Sequence, residues 1–102
     1  MNHTPDEIHR LTLFTTKREP LLVDELNRLS YHALKALPAR FPGLKIVRQV
    51  VHPDRVELEL DLSRLDEDVQ RIVQSFKSEV KALARRKHLS GENLWQWSYL
   101  ED

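Results

Sequence analysis

The sequence predicts an α+β fold of ferredoxin-like βαββαβ order, in which one antiparallel sheet carries two helices on one face and leaves the other face open. Short segments rich in β-branched and aromatic residues alternate with period two, and two longer segments repeat their apolar residues at helical spacing. Turn residues separate them in the order strand, helix, strand, strand, helix, strand.

The first strand is expected over Ile8 to Thr16, where Ile8, Arg10, Thr12 and Phe14 alternate with His9, Leu11, Leu13 and Thr15. After the Arg18-Glu19-Pro20 turn, Leu22, Leu26, Leu29, Ala33, Ala36 and Leu37 recur at helical spacing, with Asp24 assigned as N-cap and Pro38 and Pro42 bracketing the exit. Gly43 opens a run to Val51, and Pro53-Asp54 breaks it before Arg55 to Leu62. This pattern predicts two strands joined by a tight turn, a hairpin placed at the centre of the sheet. Ser63-Arg64-Leu65-Asp66 is similar to a capping box, and Leu65, Val69, Ile72, Val73, Phe76, Val80, Leu83 and Ala84 form the stripe of a long second helix. Ser90-Gly91-Glu92 ends that helix, and Asn93 to Tyr99 reads as the last strand, with Trp95, Trp97 and Tyr99 on one face.

With 102 residues and 40% hydrophobic content, the chain supports a single domain over residues 8–102, preceded by a flexible polar start at residues 1–7. There is no cysteine, which excludes disulfides, thiolate metal sites and a cysteine nucleophile. No apolar signal core opens the chain and no membrane-length apolar run occurs, so a soluble, cytoplasmic protein with no membrane partner is expected. Two glycines, Gly43 and Gly91, exclude a glycine-rich phosphate loop, and His3, His9, His32, His52 and His88 show neither H-x-H nor H-E-x-x-H spacing.

The 16 basic and 16 acidic residues cancel, so any nucleic-acid contact must be local. The most basic segment holds Lys77, Lys81, Arg85, Arg86, Lys87 and His88 in the back half of the second helix, with Asp66, Glu67 and Asp68 at its front. Complementing the helix macrodipole explains this arrangement as well as phosphate binding does. The Trp95, Trp97 and Tyr99 row is either a core-facing or dimer-facing stripe or a stacking platform for unpaired bases.

Four segments, in order, carry a resemblance. Thr15 to Leu22 is similar to a T-x-x-R-x-P-L-F turn, His52 to Leu60 to a strand of the form M-P-N-H-hydrophobic-H, Gln74 to Lys77 to a helix ending in F-K, and Leu94-Trp95-Gln96 with Tyr99 and Asp102 to L-W-Q-x-x-[FY]-x-D. Together they resemble the HUH single-tyrosine transposases of small bacterial insertion sequences and their REP-associated relatives. In that family the two histidines hold a divalent ion that polarises the scissile phosphate while a tyrosine on a later helix attacks it. Here Arg55 and Glu57 stand at the histidine positions, and the chain ends at Asp102, before such a tyrosine helix.

Alternation puts Arg55, Glu57 and Glu59 on one side of the strand and Val56, Leu58 and Leu60 on the other, with the apolar side toward the helices. A guanidinium at the metal position repels a cation, and an ion pair explains Glu57, Glu59 and His52 better than a replacement site of oxygen ligands. The resemblance therefore implies a catalytically inactive transposase-like domain with no metal or other cofactor and no nucleophile, since Tyr31 and Tyr99 fall within a helix and a strand. It implies single-stranded or hairpin DNA as partner, with Arg18, Lys77, Lys81, Arg85, Arg86 and Trp95 as candidate contacts, and a homodimer. The alternative is a protein-interaction or regulatory module that pairs with itself or with an intact transposase.

Overall fold

The computed structural model describes residues 8–89 and 93–102. The order is β1 (Ile8–Thr15), a single 3₁₀ turn (Thr16–Arg18), α1 (Asp24–Arg40), β2 (Lys45–Val51), β3 (Arg55–Asp61), α2 (Val69–Arg86) and β4 (Trp95–Glu101). The strands form one antiparallel sheet in the order β2-β3-β1-β4, the arrangement expected of a ferredoxin-like βαββαβ unit. The expected flexible start at residues 1–7 and the Ser90-Gly91-Glu92 stop lie outside the described residues.

Period-two alternation explains why one face is apolar. Leu11 and Leu13 of β1 and Val56, Leu58 and Leu60 of β3 are buried against Leu34 and Leu37 of α1 and Ile72, Phe76 and Val80 of α2. Their partners on the other face, Arg10, Thr12 and Phe14, stand opposite Glu59, Glu57 and Arg55. Among the described residues no helix covers that face, and it is where β3 presents its charged residues.

Several expectations are corrected. The hairpin is not central: β2 is an edge strand, and β3 and β1 occupy the middle, because the two crossovers through α1 and α2 place β1 between β3 and β4. Asp24 is not the N-cap; Val23 is, with no side-chain cap, and Asp24 begins α1 at φ 52°. Pro38 lies inside the last turn of α1 instead of at its exit. The capping box does not form either. Asp61 Oδ1 accepts from the Ser63 backbone N–H, and α2 begins four residues later than Leu65, where the Asp68 carboxylate accepts from the Gln70 N–H at 2.9 Å. Asp66 and Glu67 thus precede the helix, whereas Arg85 and Arg86 do occupy its last turn.

Two joints hold the loops. The Thr15 hydroxyl, fully buried, donates toward the Glu19 and Asp54 carbonyls at 2.6 and 3.0 Å, tying the 3₁₀ turn to the β2–β3 turn. The Tyr31 hydroxyl accepts from the Val51 N–H at 3.2 Å, so α1 satisfies a backbone donor of edge strand β2. Tyr31, expected to be a packing residue, is exposed on α1, and its hydroxyl is engaged at the edge of the sheet.

Candidate functional site

The β2–β3 turn and the first half of β3 gather charge on the open face. The Arg55 guanidinium lies between two carboxylates, with Nη1 donating to Asp54 Oδ1 at 2.8 Å and Nε to Glu57 Oε2 at 3.1 Å. Glu57 also accepts from Arg48 Nη1 of the neighbouring strand at 3.3 Å. His52 brings Nε2 within 3.3 Å of Glu57 Oε2, close enough for charge attraction but not aligned as a hydrogen bond. Farther along the face, Arg10 and Glu59 approach to 3.9 Å.

This surrounding favours the charged forms of Glu57 and Arg55. The hydrogen bond from Arg55 holds the Glu57 carboxyl below its usual range against the opposing effect of burial, helped by His52 and Arg48. Reciprocally, the bond to Glu57 raises the Arg55 value, with Asp54 adding to it. A divalent ion needs oxygen or imidazole ligands free of other cations. Arg55 and Glu57 do not meet that need: the first is a cation, and the second is already the acceptor for two guanidinium groups. Among the described residues no group of three or more histidine, aspartate or glutamate side chains is placed to hold a metal ion.

The remaining candidate residues fall into three places. Arg18 joins the open face: its guanidinium lies 4.2 Å above the Phe14 ring, and Phe14 is paired across the sheet with Arg55. This placement requires left-handed backbone at both Lys17 (φ 51°) and Arg18 (φ 53°), outside the glycine that usually adopts it. Lys77 and Trp95 lie on the other side of the sheet. Lys77 is only 6% exposed, and its ammonium donates to the Gln96 carbonyl at 2.9 Å. Burial pushes its pKa down. Trp95 packs on Phe76 with ring centroids 5.6 Å apart and a 55° tilt, the core-facing option for that residue. Lys81 is half-buried beside them, whereas Arg85 and Arg86 are exposed at the end of α2.

Of the aromatic row, Trp95 and Tyr99 both pack against the core. Thr15 pairs with Trp95 and Leu13 with Tyr99, so an irregularity in β4 separates the two aromatics by more residues than their β1 partners. The side chain of Trp97 lies outside the described residues. Sequence reasoning thus places Arg55, Glu57 and Glu59 on a common face, and it misses both the approach of Arg18 to that face and the inward turn of Lys77. It also misses Asp54 as the second partner of Arg55, for which the Pro-Asp turn immediately before the strand was the available signal.

No family model matches the chain, and no curated protein matches it. Its fold, an α+β sandwich of an open antiparallel sheet on two helices, is nevertheless that of DNA transposases among solved structures. A candidate transposase of Deinococcus radiodurans R1 superposes with a TM-score of 0.74 at 24% identity, covering 100% of this chain and 85% of that one. A REP-associated tyrosine transposase bound to a REP hairpin superposes with a TM-score of 0.75 at 19% identity, covering 100% of this chain and 58% of that one. The chain therefore has the transposase-like fold that its motifs suggest, and it spans little more than half of the hairpin-bound protein.

Proposed function

We propose that the chain is a transposase-derived DNA-binding domain that has lost strand cleavage and retains recognition of a DNA hairpin with its flanking single strand. The observation that supports it is the Arg55–Glu57 pair on the open face of a transposase-like sheet. Ionic partners that need no metal fill the positions where the resembled family holds its ion. Among the described residues neither tyrosine is set up as a nucleophile: the Tyr99 hydroxyl has its pKa raised, chiefly by burial, and the Tyr31 hydroxyl accepts from the Val51 N–H. Arg18, Arg48 and Arg55 offer cationic contacts on the open face, and Arg85 and Arg86 offer a second set at the end of α2.

Fluorescence anisotropy with labelled hairpin, duplex and unstructured oligonucleotides tests the binding, and incubation of the hairpin with magnesium or manganese tests the loss of cleavage. Hairpin-selective binding that weakens steeply with salt, with the hairpin left intact, is expected. Metal-dependent nicking by the purified protein would overturn the inactivity.

A second reading has its own observation. The acids on the open face are interspersed with the bases, as Arg10 with Glu59, Arg48 with Glu57 and Arg55 with Asp54, so the face gains little positive surplus. Such a surface suits a protein partner, a second copy or an intact transposase. No nucleic-acid binding at low salt, together with a dimer mass by light scattering, would favour this role.

A further inference from the structure

We infer that the groove between α2 and β4 is a phosphate site for an extended single-stranded nucleotide segment, with Lys77 and Trp95 forming its floor and Lys81 its rim. The inference rests on the DNA-binding reading and adds a place and a chemistry to it. The groove encloses about 330 Å³ and is lined by Gln74, Lys77, Ser78, Lys81, Trp95 and Gln96. It lies on the helix side of the sheet, away from the Arg55 cluster.

The floor has more donors than acceptors. The Lys77 ammonium carries three N–H groups, and the bond described for it is to the Gln96 carbonyl. The Trp95 indole Nε1 is buried with no hydrogen-bond partner. A buried donor without an acceptor is destabilising, and its presence in a folded protein calls for an explanation. No aspartate or glutamate lines the groove, although acids equal bases over the whole chain. Phosphate oxygens only accept, so they match this floor. An anion there would also relieve the burial that disfavours the charge of Lys77.

The rim distinguishes a nucleotide from a bare anion. Gln74 and Gln96 each present an amide that both donates and accepts, the combination that pairs with base edges. Gln74 and Ser78 are exposed and Lys81 is half-exposed, so the side chains above the floor can swing aside without disturbing the core. Packing on Phe76 meanwhile fixes the indole plane. On the strand side the groove is lined by Trp95 and Gln96, at the start of β4, and β4 is an edge strand, so no further strand closes the groove on that side. By contrast, the hollow at the opposite end of β4 is lined by Asp66, Glu67, Asp68 and Glu101 and would repel phosphate.

The indole N–H resonance of Trp95, identified by its disappearance in Trp95→Phe, reads the site directly by heteronuclear NMR. A short thymidine oligonucleotide should shift that resonance saturably, and Lys81→Ala should weaken the effect and lower the salt slope by about one. A resonance unmoved by the oligonucleotide would overturn the site. A shift of equal strength with inorganic phosphate would overturn its assignment to a nucleotide segment. Hairpin anisotropy on the same sample separates the two readings: hairpin binding with a still indole resonance sinks the groove alone. An oligonucleotide shift in a protein that shows no preference for hairpins keeps the groove and removes the hairpin role.

Discussion

At the scale of single residues, Glu57 concentrates the electrostatics of the open face. Its folded-state pKa is lowered, so the stability it supplies is present above the ordinary glutamate value of 4.5 and is lost as pH falls through the folded value. Glu57→Gln should remove that acid-sensitive part, leaving a flatter stability profile below pH 4.5 and costing about 1 kcal/mol at neutral pH, as partly exposed ion pairs do. Chemical denaturation at several pH values checks both; an unchanged acid limb would mean that the pairs to Arg48 and Arg55 contribute nothing. The identity and orientation of Arg55 and Glu57 were legible in the sequence because alternation along one strand is local. Their partners were not, since Arg48 reaches Glu57 across a strand pair whose register shifts between Ile46 and Arg48.

At the scale of elements, the joints are more sensitive than the strands. Gly43 has φ +104°, and a Cβ there would sit 2.5 Å from the Arg64 carbonyl oxygen. Gly43→Ala combines left-handed strain with a backbone clash, so a loss of at least about 2 kcal/mol is expected; thermal unfolding within a degree of the parent would refute this account. Tyr31→Phe leaves the Val51 N–H at the β2 edge without its acceptor and should cost about 1 kcal/mol. Hydrogen exchange at Val51 should accelerate in that variant while exchange in β3 stays slow. Helix spacing located both helices, but their first turns escaped the sequence reading. Ser63 and Asp66 suit a capping box as well as Asp68 suits an N-cap, and the choice depends on where Leu62 and Leu65 pack against the core.

At the scale of the whole molecule, a chain of this length depends on one core, and Phe76 is the largest fully buried side chain among the described residues. Phe76→Ala should cost about 4 kcal/mol, which for a domain of this size lowers Tm by roughly 20 °C. Because Phe76 also supports the Trp95 ring, the same change should broaden or shift the Trp95 indole resonance. A small loss with an unmoved indole would mean that the core is organised elsewhere. The exact balance of 16 bases and 16 acids gives no long-range attraction for DNA, so binding must come from local phosphate contacts, and these set its salt dependence.

The sequence by itself determined the order of elements, the face each strand turns to the helices, and the placing of a cation, Arg55, beside an acid, Glu57, on one face of a strand. Those are properties of neighbouring residues, read by periods of two and 3.6. Only the tertiary structure decided that β2 lies at the edge, that Lys77 turns inward to the Gln96 carbonyl, and that Trp95 packs on Phe76 with its indole N–H unpaired. Each of these depends on which distant segments share a core, and hydrophobic burial is nondirectional: it selects apolar faces from the sequence but leaves the pairing of polar groups to the geometry in which those faces meet.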